Sequence, residues 1–292
     1  MAKIKVAEVF YSLQGEGLYV GVPSVFLRTF GCNFKCGGFG LTTGELSTEP
    51  DEIAASFLVA HPEATYTDLP LALTGCDSYA SWHPKFKSLS PVMDIPHVID
   101  EMELARLGGS GIAVNDGGTH LVITGGEPLL GWQRAYPELI DAAYAKGYKH
   151  ITFETNGTQE ISDDFANYLL IRQIKNAREG LSLTFSVSPK LYMSGETKED
   201  ALKPKVVSDY QRYGKVYLKF VVDKRADIED VNNFVSAYRK EGFTGEVYLM
   251  PCGGDQEMYG ANAPTVAKLA MEYNMRYSPR LQVDLWKNAW GT

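Results

Sequence analysis

Cys32 and Cys36, with three residues between them in GCNFKCGGFG, are the residues whose type and spacing first suggest chemistry. They follow directly on an apolar run, SVFLRTF at 24–30, that reads as a β-strand, so the pair falls in a loop at a strand's carboxyl end. Two thiolates placed there could hold a metal. Read for packing alone, they are two small buried hydrophobes, because free cysteine is among the most buried residue types. Later strand candidates also end in compact polar or glycine-rich segments: TGGEP at 124–128, ETNGT at 154–158 and SVSPK at 186–190. Four successive strand ends of this composition are hard to explain as packing. The remaining cysteines are Cys76, in TGCDSYASW, and Cys252, in MPCGGD. Four thiols are too few for a disulfide-built scaffold in a chain this long, and they are expected to be reduced. Cys252 reads as a small residue at a strand end. The histidines 61, 83, 97, 120 and 150 show no metal-ligand spacing.

Apolar β-branched runs alternate with stretches of helical period, predicting six βα units. The strands are expected at 24–30, 120–124, 150–154, 181–187, 216–222 and 246–250. Their continuous apolar character suits a parallel sheet covered on both faces. Helices are expected at 97–107, 136–146, 163–177, 228–241 and 264–273, with Ser162 and Asp227 as N-caps and Gly147, Gly180 and Gly242 as exits. Such alternation implies right-handed crossovers and either a barrel or an open doubly wound sheet. Residues 37–95 interrupt the pattern with Gly, Thr, Ser and Pro around one apolar stretch at 53–60. They are read as an insertion in a single domain, placed to cover a site where ligands collect at strand carboxyl ends.

The 292 residues are 45% hydrophobic and 22% charged, with 28 Gly and 14 Pro, which excludes collagen-like, coiled-coil and disordered classes. The formal charge of −8 argues against a nucleic-acid backbone as partner. There is no apolar run of about 18 residues and no signal-like start, so no membrane association is expected and the cytoplasm is the expected location.

FYSLQGEG at 10–17, PSVFLRTFGCN at 23–33, then TGGEP, ETNGT and SPK in that order, resemble the radical SAM superfamily and within it the 7-carboxy-7-deazaguanine synthase family. The likeness is patchy but spans about residues 8–285. TGGEP alone occurs across many radical SAM enzymes, whereas SLQGEG joined to it is far more specific. The resemblance implies a partial (β/α)6 TIM-like barrel, an α/β fold, with an inserted segment after the first strand. It also implies a 4Fe-4S cluster, S-adenosylmethionine and Mg2+.

The superfamily pattern expects a third cysteine where this chain has Phe39. The family follows that cysteine with Asp-Thr, and Cys76-Asp77-Ser78 offers the nearest equivalent, so Cys76 is inferred to be a displaced third ligand after 39 intervening residues. Closing a longer loop adds entropy cost slowly. Three thiolates leave one iron open, where S-adenosylmethionine can bind through its amino and carboxylate groups and be cleaved to methionine and a 5′-deoxyadenosyl radical. By the same resemblance the cofactor-binding residues are Gly75, Asp77, Gly125, Gly126, Glu127, Glu154, Asn156, Ser188, Pro189 and Lys190. Leu13, Gln14, Gly15, Glu16, Arg28 and Thr124 would bind the substrate, 6-carboxy-5,6,7,8-tetrahydropterin, with Arg28 pairing its carboxylate. Ser78 would hold Mg2+. The reaction implied is hydrogen abstraction at C6, ring contraction, hydrogen return and loss of ammonia, giving 7-carboxy-7-deazaguanine. A flavodoxin- or ferredoxin-like electron donor and a homodimer are further family expectations. Trp286 and Trp290, in the aromatic C-terminal segment, could cover the barrel mouth, form a subunit contact or simply pack in the core. Competing readings are an activating enzyme that installs a glycyl radical on a protein partner, and a degenerate radical SAM fold without catalysis, which Phe39 keeps alive. An ordinary Rossmann enzyme lacks its G-x-G-x-x-G turn.

Overall fold

In the computed structural model, which describes residues 1–107 and 119–292 apart from the side chains of 174–179, one sheet organises the chain. Its strands are β1 (Lys3–Leu13), β2 (Pro23–Thr29), β3 (Val92–Asp94), β4 (His120–Gly125), β5 (His150–Thr155), β6 (Ser182–Val187), β7 (Lys215–Val222), β8 (Val247–Pro251) and β9 (Arg276–Tyr277). They lie in the order β3-β1-β2-β4-β5-β6-β7-β8-β9, and the sheet does not close. From β2 to β9 every pairing is parallel. β2 and β4–β8 are almost wholly buried because helices on the outer face and side chains on the inner one exclude water from both sides.

The helices are α1 (Glu49–Ala60), α2 (Ile95–Leu107), α3 (Tyr136–Ala145), α4 (Asp163–Glu179), α5 (Lys198–Ala201), α6 (Pro204–Tyr210), α7 (Asp227–Lys240), α8 (Gln256–Glu272) and α9 (Leu281–Trp286). The main core lies between sheet and helices, where Tyr136, Phe153, Phe165, Phe185 and Tyr210 form a continuous cluster of aromatic rings, edge-on, tilted and stacked. Among the described residues no helix is long and apolar enough to cross a membrane.

The six predicted strands are β2 and β4–β8, displaced by a residue or two at their ends. Two further strands come from the segments on either side of the first unit. β1 runs antiparallel to β2 and carries a bulge between Val6 and Glu8, and β3 runs antiparallel to β1. The bulge breaks the strict alternation of β1 and turns Glu8 inward, which hides the strand from a period-2 reading. Thus the predicted insertion ends in a strand of the main sheet. Its apolar stretch at 53–60 is the later part of α1, and it builds a small core of its own from Tyr66, Leu69, Tyr79 and Phe86.

Two helix starts differ from expectation. Asp227 lies in the first turn of α7 rather than at its cap, and its carboxylate accepts from the amides of Asp223 and Lys224, closing the preceding loop. α8 begins eight residues before Pro264, capped by Asp255 accepting from Met258, so the proline sits inside the helix. Ser162 accepts the Ala166 amide at the start of α4, and Gly147, Gly180 and Gly242 leave their helices with φ of +93°, +75° and +90°.

Candidate active site at the carboxyl ends of the strands

A cavity of about 270 Å³ opens at the carboxyl ends of β2 and β4–β8. Cys32, Cys36 and Cys76 all reach it, and all are free thiols. Cys36 adopts φ +50°, a left-handed conformation that costs a non-glycine residue on the order of 1 kcal/mol. The Glu196 carboxylate holds it there, one oxygen accepting from the amides of both Lys35 (2.8 Å) and Cys36 (2.7 Å). The Gly75 amide donates to the Phe39 carbonyl at 2.8 Å, so the chain leading into Cys76 is tied to the position where an uninterrupted motif would carry its third cysteine. Phe39 lines the cavity with the Lys190 ammonium 5.9 Å from its ring centre.

Burial raises all three thiols, Cys32 to about 12, and the Lys190 charge opposes that rise at each. The Cys76 thiolate adds to the rise at both Cys32 and Cys36, so the three sense one another. Among the described residues no three His, Cys, Asp or Glu side chains converge on a single ion. Three free cysteines lining one cavity supply the thiolate donor set of a 4Fe-4S cluster bound through three of its irons.

The glycine segment is built differently from its sequence reading. A Cβ on Gly125 would sit 2.2 Å from the Thr29 carbonyl oxygen, and one on Gly126 would sit 2.4 Å from that of Gly31 and 2.7 Å from the Cys32 Cβ. Both glycines are therefore required by close packing of the β4 end on the cysteine loop, as well as lining the cavity. Glu127 points away from the cavity. It is fully buried and accepts from the Leu129 amide (3.0 Å), the Thr155 hydroxyl (2.8 Å) and the Asn156 amide (2.7 Å). Burial lifts its carboxyl to about 7 despite those donors. Glu127 thus joins the ends of β4 and β5. Pro189 is also buried outside the lining, whereas Ser188 and Lys190 on either side reach it.

The site also carries a chain of alternating charges, which begins next to Cys76. The Arg28 guanidinium donates to Glu8 (3.2 Å) and Ser78 (3.1 Å), and Ser78 donates to Asp77 (3.2 Å). Arg280 bridges Asp77 (2.5 Å) and Glu16 (3.4 Å), and Glu16 also pairs with Lys219 and accepts from Gln282 (2.6 Å). Burial alone would push the Glu16 carboxyl up, but the charges of Lys219 and Arg280 outweigh it and hold it at about 2. Gln14 donates to Glu154 (3.1 Å) and accepts from the Glu16 amide (3.0 Å), which fixes its amide plane. Asn156 accepts from Thr158 and donates to Asn33 (2.9 Å), locking the turn after β5. Leu13, Gly15, Thr124, Gly75 and Glu154 complete the predicted residues on the lining.

Sequence reasoning missed Glu8, Lys219, Arg280 and Gln282, whereas the C-terminal segment was singled out with covering the mouth as one of its readings. One signal was available: Lys219 is a lone charge in the apolar run VYLKFVV, and a buried lysine in a central strand needs a partner. Cys252 also reaches the cavity, with its thiol pushed up to about 11 by burial. Trp290 donates to the Leu69 carbonyl at 2.7 Å and packs edge-on against Tyr66 and Tyr79, bringing residues 288–292 to the rim.

A mostly parallel open sheet with three free thiols and a glycine segment at its carboxyl edge defines an enzyme of the radical SAM class. No sequence-family profile matches the chain. The chain belongs to the 7-carboxy-7-deazaguanine synthase family: it is 32% identical to the 7-carboxy-7-deazaguanine synthase of Halobacterium salinarum over 98% of this chain and 91% of that protein. The enzyme of the same name from Pyrobaculum aerophilum is 27% identical, with 99% of this chain and 97% of that one covered. The crystal structure of QueE from Escherichia coli superposes with a TM-score of 0.53 at 19% identity, covering 94% and 93% of the two chains, and shares the fold.

Proposed function

We infer that this chain converts 6-carboxy-5,6,7,8-tetrahydropterin to 7-carboxy-7-deazaguanine with loss of ammonia, a radical SAM lyase step in the biosynthesis of queuosine-type deazapurines. The observation that carries this reading is one cavity lined both by three free thiols and by a chain of guanidinium and carboxylate side chains. A 4Fe-4S cluster together with S-adenosylmethionine, when bound, would supply the radical chemistry that begins the reaction. The protein's task is to hold both cofactors and substrate in one water-poor space.

In this reading Cys32, Cys36 and Cys76 hold the cluster, and the Lys190 ammonium offsets their negative charge. Backbone groups of Gly125 and Gly126 with Glu154, Asn156 and Ser188 receive S-adenosylmethionine. Glu127 acts from behind by fixing the turn that carries Asn156. Arg28 pairs the substrate carboxylate, to which its planar fork is matched. Glu16, kept ionised by Lys219 and Arg280, accepts from the pterin's amino groups, while Gln14 and the backbone of Leu13 and Gly15 read its edge. Ser78 and Asp77 offer adjacent hard oxygens to Mg2+, which ordinarily keeps few protein ligands. An electron donor such as a flavodoxin or ferredoxin, a homodimer and a cytoplasmic location complete the proposal.

The test is anaerobic reconstitution followed by incubation with S-adenosylmethionine, reductant, magnesium and 6-carboxy-5,6,7,8-tetrahydropterin, with deoxyadenosine and deazaguanine followed by mass spectrometry. Both products are expected. Deoxyadenosine alone would overturn the substrate assignment, and neither product from cluster-loaded protein would overturn catalysis.

A further inference from the structure

The bulge in β1 decides which side chain stands beside Arg28. Ahead of it Val6 pairs with Thr29, and beyond it Glu8 pairs with Arg28. Carried on without the extra residue, the same register would set Ala7 opposite Arg28 and turn Glu8 towards Leu27, into the core between sheet and helices. The bulge instead brings Glu8 to the face of the sheet that Arg28 occupies, the kind of re-aiming for which bulges are found beside active sites. The Glu8 Oε2 accepts from the Arg28 Nε at 3.2 Å, with the two side chains only 5% and 15% exposed. Among the described residues no other side chain pairs with this carboxylate, and it lies outside the cavity lining that Arg28 itself reaches. Taking a carboxylate out of water is costly, so one retained behind the site calls for a task.

The Arg28 guanidinium is held on two further sides. Its Nη1 donates to the Ser78 hydroxyl at 3.1 Å, and the Phe10 ring, stacked on Phe26, lies 5.7 Å from its central carbon. Among the described residues it makes no other hydrogen bond, which leaves Nη2 and the second Nη1 hydrogen for a ligand in the cavity. We propose that Glu8 is the positioning residue for Arg28: by holding Nε it turns the two η nitrogens towards the cavity and so sets the preference for a pterin that carries a carboxylate. This inference rests on the reading of Arg28 as the partner of the substrate carboxylate. A bidentate pair needs the guanidinium plane fixed before the ligand arrives, and a charge-assisted bond to Nε fixes it from behind. Glu8 touches neither substrate nor S-adenosylmethionine in this scheme and acts only through Arg28.

The experiment compares anaerobically reconstituted wild type, Glu8→Leu, Glu8→Gln and Arg28→Gln, with iron content measured first. Two constants are then read: KM for 6-carboxy-5,6,7,8-tetrahydropterin, and the inhibition constant of tetrahydropterin without the carboxylate. Glu8→Leu removes the acceptor and is expected to raise KM roughly tenfold, with kcat within about twofold of wild type and the inhibition constant unchanged. Glu8→Gln keeps a neutral acceptor of the same shape, so its KM is expected to rise only about threefold, and it decides the matter if Glu8→Leu does not load iron. Arg28→Gln is expected to raise KM at least as far as Glu8→Leu, again without moving the inhibition constant. An unchanged KM in the Glu8 variants, with Arg28→Gln impaired, would overturn the proposal. A parallel rise of KM and the inhibition constant in the Glu8 variants would overturn it equally, since that is a general lesion of the cavity. An unchanged KM in Arg28→Gln is a separate failure, that of Arg28 as the partner of the substrate carboxylate.

Discussion

Replacing Trp290 by Ala tests whether the C-terminal segment is fastened to the 37–95 region in the way its contacts imply. The indole makes one hydrogen bond, to the Leu69 carbonyl at 2.7 Å, and two edge-to-face pairs, with Tyr66 at 4.9 Å and Tyr79 at 5.8 Å between ring centres. A net hydrogen bond contributes about 1 kcal/mol, and each aromatic pair about 0.5–1.5 kcal/mol beyond its area. Removing a large aromatic from a core costs about 3–5 kcal/mol in total, and Trp290 is only half-buried, so the expected loss is about 3 kcal/mol. Trp290→Phe keeps a ring against both tyrosines and loses the hydrogen bond, for a loss of about 1 kcal/mol. The assay is urea unfolding of wild type and both variants under identical anaerobic conditions, with slopes compared to confirm that the same surface is exposed. The segment also lines the cavity through Asn288 to Thr292, so the alanine variant is expected to raise the pterin KM more than it lowers kcat. A loss below about 0.5 kcal/mol for Trp290→Ala, the range of an inert surface change, would refute the fastening.

Two further outcomes follow from the site. Cys76→Ala is expected to lower iron content after reconstitution greatly and Phe39→Ala to leave it unchanged; equal retention by both would remove Cys76 from the ligand set. The Glu16 carboxyl lies at about 2 in the fold, below its ordinary 4.5, so its contribution is complete above about pH 4.5 and is lost as pH falls towards 2. Glu16→Gln should flatten that part of the acid-unfolding curve while lowering stability at neutral pH, because Lys219 and Arg280 are left buried without their shared carboxylate. A parallel-shifted acid limb would show that the carboxylate is not the group responsible.

The strands were legible because a doubly covered parallel sheet forces long apolar runs, and such runs at β2 and β4–β8 leave little alternative. β1 was not, since its bulge turns Glu8 inward and disrupts the alternation. The cysteines were legible by type, and the family motifs pointed to the ends of the right strands. The orientation of Glu127 was not, because a glutamate after two glycines reads equally as a ligand or a bracket. Only the donors from Leu129, Thr155 and Asn156 distinguish them. Arg280 and Gln282 meet Glu16 across more than 260 residues, a separation at which no local pattern carries information.

The open sheet ends on strands of three and two residues, β3 and β9. An edge that short presents too few unpaired amides and carbonyls to template another strand, which guards the monomer against edge-to-edge aggregation. It also bears on how two copies of the chain would associate. A dimer of this protein cannot be a continuous sheet of eighteen strands in any stable register; its interface must be built from side chains on helix and loop surfaces, and substitutions there, rather than in β3 or β9, should control it.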